Sequence, residues 1–138
     1  MSKGDQMANI LVIDDEKDVR VVLKEVLRRA GHDVTLAANG REGLEKLAAD
    51  GADVVVTDVI MPGTNGVAMV QQIREAHPDM PIIVISGGGN VAPMDYEPGA
   101  ISTSAYLASA TIAGANRTLT KPFERQALVD AVQELLAE

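Results

Sequence analysis

The chain has no cysteine and no tryptophan, and its 138 residues include only one phenylalanine and two tyrosines. Without cysteine there is neither a disulfide framework nor a thiolate metal site, so a bound cation must be held by oxygen or imidazole. Aromatics make up 2 % of the residues and hydrophobic residues 46 %, so the core has to be built from Val, Ile, Leu, Met and Ala. The 12 Lys and Arg are outnumbered by 20 Asp and Glu, for a formal net charge of −8. A binder of the nucleic-acid backbone needs a basic stripe, so this balance speaks against direct contact with DNA or RNA. No apolar run approaches the roughly 20 residues of a membrane-spanning helix, and residues 1–6 lack the apolar stretch of a signal peptide. The expectation is a cytoplasmic protein that touches neither nucleic acid nor membrane. Imidazole is scarce as well, and His32 and His77 have no neighbours at catalytic or metal-ligand spacing.

What is present is an alternation of strand and helix signals, repeated five times. Asn9–Ile13 is a continuous apolar run, as suits a strand covered on both faces. Val19, Val22, Leu23, Val26, Leu27 and Ala30 then fall on one helical face, and Gly31 is placed to end that helix. Asp33–Ala37 reads as a more polar edge strand. Asn39 with Glu42 three residues later forms a start signal resembling a capping box, for a helix with Leu44, Leu47 and Ala48 inward. Strands follow over residues 53–57, 81–85 and 117–120, with helices over residues 65–77 and 124–136. Residues 87–100 carry Gly87, Gly88, Gly89, Pro93, Pro98 and Gly99, which predicts an irregular extended loop. Helical spacing resumes at Ile101, Ala105, Ala108 and Ile112. The expected organisation is a disordered extension over residues 1–8 and one α/β domain over residues 9–138. Short βα units of this kind form a parallel sheet with helices on both faces.

Polar residues cluster where the strands end. Asp14 and Asp15 follow the first strand, Asp58 the third, Ser86 the fourth and Lys121 the fifth. In an open parallel sheet the carboxyl ends of the strands face one crevice, so these groups converge. Taken singly, each has an ordinary use: Asp14 or Asp15 as a helix cap, Asp58 and Ser86 as turn formers, Lys121 as a solvated cation. Together they make crowded carboxylates that a hard divalent cation relieves, and an all-oxygen donor set favours Mg²⁺. A lysine and a hydroxyl beside that cation suit a phosphoryl group. No Walker sequence or GxGxxG accompanies the triple glycine, which reads as a flexible loop.

The stretches Leu11-Val12-Ile13-Asp14-Asp15-Glu16, Asp58-Val59-Ile60-Met61-Pro62 with Gly66, Ile85-Ser86 and Lys121-Pro122-Phe123 resemble the receiver domain of bacterial response regulators. The resemblance spans essentially the whole chain. It implies a doubly wound, flavodoxin-like sheet with strand order 2-1-3-4-5. It also implies that Asp58 accepts a phosphoryl group from a sensor histidine kinase or a histidine phosphotransfer protein. Asp14, Asp15, Asp58 and the Ile60 backbone carbonyl would hold Mg²⁺, while Lys121 and Ser86 would bind the phosphoryl oxygens. No output domain follows, so the expectation is a stand-alone receiver that signals to a further protein by contact.

The chain departs from that pattern in two places. Thr118 stands where the family usually has the aromatic residue that reports phosphorylation, and the interval from Ser86 to Lys121 is longer than usual. The added segment carries Tyr96 and Tyr106, which are candidates for part of the readout or merely residues of a surface loop. Val21, opposite the apolar face of the first helix, is a candidate contact for the kinase. Two other readings compete. One is an interaction module that keeps the fold without phosphorylation. The other is a phosphatase working through an aspartyl phosphate, which wants Asp-x-Asp and finds Asp58-Val59-Ile60 instead.

Overall fold

A computed structural model of the chain describes residues 7–58, 60–61, 64–86, 114–120 and 123–137. The elements are β1 (Asn9–Ile13), α1 (Lys17–Arg29), β2 (Asp33–Ala37), α2 (Gly40–Asp50), β3 (Val54–Asp58), β4 (Ile60–Met61), β5 (Thr64–Asn65), α3 (Gly66–Ala76), β6 (Ile82–Ser86), β7 (Arg117–Thr120) and α4 (Arg125–Ala137). Five of the strands form one parallel sheet in the order β2-β1-β3-β6-β7, which is 2-1-3-4-5 when the small β4–β5 hairpin is set aside. The doubly wound architecture predicted from the sequence is the one found. Among the described residues no helix is long and apolar enough to cross a membrane.

Because side chains alternate along a strand, the near-continuous apolar runs feed two cores at once. Ile10, Val12, Val54, Val56, Ile83 and Ile85 point to one face, where Leu23 and Leu27 of α1 and Leu128 and Val132 of α4 cover them. Leu11, Ile13, Val55, Ile82 and Val84 point to the other, under Leu47 of α2 and Met69, Val70 and Ile73 of α3. Phe123, the only phenylalanine, packs against the first of these cores.

The helix boundaries follow local chemistry. α1 ends in a Schellman motif: His32 N–H donates to Leu27 O at 3.1 Å and Gly31 N–H to Arg28 O at 2.9 Å. Gly31 takes φ +99°, which glycine adopts without strain. At α2 the Asn39 side chain accepts from Glu42 N–H at 2.8 Å, and Glu42 reaches back to the N–H of Ala38 at 2.7 Å. The return bond thus lands one residue before the position a standard capping box uses.

Three expectations need correction. Val22 is 49 % exposed and does not share the buried face of α1, whose core contacts are Leu23, Val26 and Leu27. Ala48 is exposed, and the inward residues of α2 are Gly43 and Leu47, with Leu44 half-buried. Ala8, assigned to the disordered extension, is buried, and its backbone carbonyl accepts from Asp33 N–H at 2.9 Å. Residues 1–6 and residues 87–113, with Tyr96, Tyr106 and the helical spacing at 101–112, lie outside the described residues.

Two predictions follow from packing. A Cβ at Gly43 would overlap Cδ1 of Ile13 and stand 2.8 Å from its Cγ1, and Ile13 is fully buried. Gly43→Ala gains up to about 1 kcal/mol in helix propensity but overpacks the α2–β1 contact, which costs about 1–3 kcal/mol. Urea denaturation should show a net loss of stability, and an unchanged or raised midpoint would refute the packing argument.

The second concerns His32, which is buried; its Nδ1 accepts from Ala8 N–H at 3.2 Å, and its Nε2 has no partner among the described residues. Burial lowers its pKa below 6.5. The unfolded chain therefore takes up the proton first, and this contribution to stability is complete above about pH 6.5 and lost as pH falls through the lowered pKa. Denaturation midpoints measured from pH 7.5 to 5 should fall for the wild type and fall less for His32→Gln.

Candidate functional site

The register of β1 against β3 builds the site. The last paired residues are Ile13 and Thr57, so the next positions along the two strands are Asp14 and Asp58. Both continue the parity of the residues two back, Val12 and Val56, which places the two side chains on the same side of the sheet. Asp14 is 1 % exposed and Asp58 5 %. Asp15, the next residue on the β1–α1 turn, is exposed. One carboxylate oxygen from each of Asp14, Asp15 and Asp58 lies within 4.8 Å of the others.

Two ionised carboxylates about 4–5 Å apart repel by roughly 3–4 kcal/mol at an effective dielectric near 20. An octahedral Mg²⁺ with oxygens at about 2.0–2.1 Å asks for ligand oxygens roughly 3–4 Å apart, so small side-chain rotations would close the trio on such an ion. The donor set fits: oxygen alone, one side open to water, and neither His nor Cys in the cluster.

Asp14 itself is held on several sides. Its N–H donates to Ala37 O at 3.1 Å, which extends the β1–β2 pairing by one residue. Its Oδ1 accepts from Glu16 N–H at 2.9 Å, and its carbonyl accepts from Arg20 Nη1 at 2.8 Å. Around the neighbouring β2–α2 turn, Glu42 binds Ala38 N–H and pairs with Lys46 at 3.1 Å, while Lys46 Nζ also donates to Leu36 O at 2.6 Å. The Ala38 N–H, the Lys46 ammonium and, further off, the Arg20 charge hold the Glu42 carboxyl below the usual carboxylate range.

The remaining sequence-derived residues are distributed unevenly. Ser86 is the last residue of β6, one beyond Ile85, which lies directly across from Asp58. Ile60 opens the β4–β5 hairpin two residues after Asp58. The β6–β7 register ends at Ser86 and Thr120, and Lys121 lies outside the described residues. Thr118 is exposed on β7, opposite Val84. Val21 is exposed on α1 as expected, and with Val22 it lines a groove of about 590 Å³ between α1 and α4.

Sequence reasoning missed Arg20 and the Glu42–Lys46 pair. The signal for Arg20 was available: side chains on a helix lean toward its N-terminus, so an arginine in the second turn of α1 reaches back to the strand end.

The profile of the response regulator receiver domain matches residues 10–97. The DNA-binding transcriptional regulator NtrC of Rhizobium meliloti is 36 % identical over 131 residues, 95 % of this chain and 24 % of that protein. This chain thus spans about a quarter of the length of that relative. The chemotaxis protein CheY of Thermotoga maritima is 32 % identical over 127 residues, 91 % of this chain and 95 % of that protein. A putative response regulator from Chloroflexus aurantiacus superposes with a TM-score of 0.80 at 32 % identity, covering 96 % of this chain and all of that one (100 %).

Proposed function

We propose that this chain, which belongs to the response-regulator receiver family, accepts a phosphoryl group on Asp58 from a phosphohistidine donor and passes the signal on by protein contact. The observation that carries the proposal is the Asp14–Asp15–Asp58 trio, with Asp58 buried at the carboxyl end of a central strand. Mg²⁺, when bound, would neutralise charge on the phosphoryl oxygens.

The residues of the chain do the rest. The Asp58 carboxylate attacks phosphorus in line, forming a P–O bond as the P–N bond of phosphohistidine breaks and its electron pair returns to the imidazole. Asp14, Asp15 and Asp58 would hold the ion, with the Ile60 carbonyl as a further ligand. In this proposal Lys121 binds one phosphoryl oxygen and Ser86 another, which favours the phosphorylated form electrostatically. Receivers of this family are generally not enzymes acting on a separate substrate, and the chemistry proposed here is confined to the chain's own aspartate.

The donor is a sensor histidine kinase or a histidine phosphotransfer protein. The groove between α1 and α4, with Val21 and Val22 exposed along it, suits an apolar contact with such a donor. Thr118 and the segment bearing Tyr96 and Tyr106 are proposed to carry the readout to the downstream protein. Stand-alone action belongs to the same proposal, and the mass of the endogenous protein tests it, since a larger mass would remove it.

Incubation with Mg²⁺ and acetyl phosphate should add one phosphoryl mass to the intact protein, and Asp58→Asn should abolish the addition. No adduct on the wild type would favour a phosphorylation-independent interaction module, and repeated turnover of external phosphoesters would favour a phosphatase. Val21→Asp should slow transfer from the histidine donor severalfold and leave labelling by acetyl phosphate unchanged. Equal slowing with both donors would refute the docking role.

A further inference from the structure

The β1–α1 turn that carries two of the three clustered carboxylates is only three residues long, Asp14 to Glu16, and it lacks the usual lock on a helix start. Glu16 is the N-cap of α1, yet its side chain makes no capping hydrogen bond. The Glu16 N–H is instead held by Asp14 Oδ1 at 2.9 Å, and one long side chain from inside the helix reaches back to the strand end. Arg20 Nη1 donates to the Asp14 carbonyl at 2.8 Å, and Arg20 N–H donates to Glu16 O at 3.0 Å. Backbone and side chain of one residue therefore bracket the turn from both of its ends.

We infer that Arg20 is a positioning residue for the cation site: its guanidinium fixes the Asp14 carbonyl and so holds the Asp14 and Asp15 carboxylates in reach of Asp58. The inference rests on the phosphoacceptor reading given above. It also has a sign that a simple charge argument would reverse. A positive charge close to three carboxylates disfavours a second cation, so if Arg20 acted by charge alone, removing it would tighten Mg²⁺ binding. If it acts by holding the turn, removing it loosens binding, because the ligands must then be ordered when the ion arrives. The half-buried side chain and its bond to a fixed backbone carbonyl favour the second effect.

The test is calorimetric titration of the full chain with Mg²⁺, paired with a thermal melt of each variant. Arg20→Met keeps the apolar stem and removes the donor, and it should raise the Mg²⁺ dissociation constant by about 10-fold, the low end of what loss of an outer-shell partner costs. Arg20→Lys restores a donor that can reach a single carbonyl, and should recover most of the affinity. Asp15→Asn should weaken the binding heat and so identify its source. An unchanged or tighter dissociation constant in Arg20→Met would overturn the inference, whether or not its melting temperature falls. A wild-type chain that binds Mg²⁺ and takes a phosphoryl group, with Arg20 indifferent, would remove this inference alone. A wild type that does neither would remove the phosphoacceptor reading together with it.

Discussion

Two carboxylates held side by side at the end of adjacent parallel strands are the constraint on which the rest of this structure depends. Asp14 and Asp58 are neighbours because Ile13 pairs with Thr57, and a slip of one residue in that register would turn one carboxylate to the opposite face. The repulsion between them is outweighed by the strands that carry them. Ile10, Leu11, Val12, Ile13, Val54, Val55 and Val56 are each at most 2 % exposed. Burial of each such side chain contributes about 1.5–3 kcal/mol, several times in sum the roughly 3–4 kcal/mol by which a carboxylate pair at this spacing opposes it. An aliphatic, β-branched sheet is therefore a means of forcing like charges together, and the scarcity of aromatic residues costs nothing here because both faces are filled by Val, Ile and Leu.

The same economy of space reaches the helices. Gly43 lets α2 close onto Ile13, the residue just before Asp14, so the strand end is gripped by packing as well as by its hydrogen bonds. On the far side of the molecule, Arg74 plays a comparable part in joining segments distant in sequence. Its Nη2 donates to Gly114 O at 2.7 Å and Asn116 Oδ1 at 2.9 Å, and its Nη1 to Pro78 O at 2.7 Å. Asn116 Oδ1 also accepts from Ile82 N–H at 2.9 Å, which ties the entry of β7 to the entry of β6. Long cationic side chains thus fix loop backbones at both ends of the sheet.

What could be read from the residues alone divides along a physical line. β1, β2 and β7 were legible to the residue because hydrophobic pattern and turn residues bound them sharply, and the Gly31 stop and Asn39 start because capping is local chemistry. The acid trio was legible too, since strand-end aspartates converge in any parallel sheet of this order. Val22 and Ala48 were misplaced because helical spacing gives a face but not its width; in α1 the buried stripe narrows to Leu23, Val26 and Leu27. Arg20 and Arg74 were missed for a different reason: their roles lie in side-chain reach to backbone groups in other segments, which the hydrophobic pattern does not encode.

The placement of the trio also bears on where a signal can travel. β1 is paired on both sides, to β2 and β3, and β3 is paired to β1 and β6, with helices covering both faces. Movement of those strands would break two ladders and open two cores at once. Among the described residues β7 is an edge strand paired to β6, and its residues alternate between half-buried and exposed, Thr118 and Thr120 being the exposed ones. A change of charge at Asp58 therefore meets a stiff frame on the β1 side and a softer one beyond β6, whose Ile85 lies directly across from Asp58. In the proposed phosphoacceptor role, a backbone response would meet least resistance toward β6 and β7. Thr118 is exposed on that edge, opposite Val84 of β6, and in the proposed readout it would offer a hydroxyl that can hydrogen-bond.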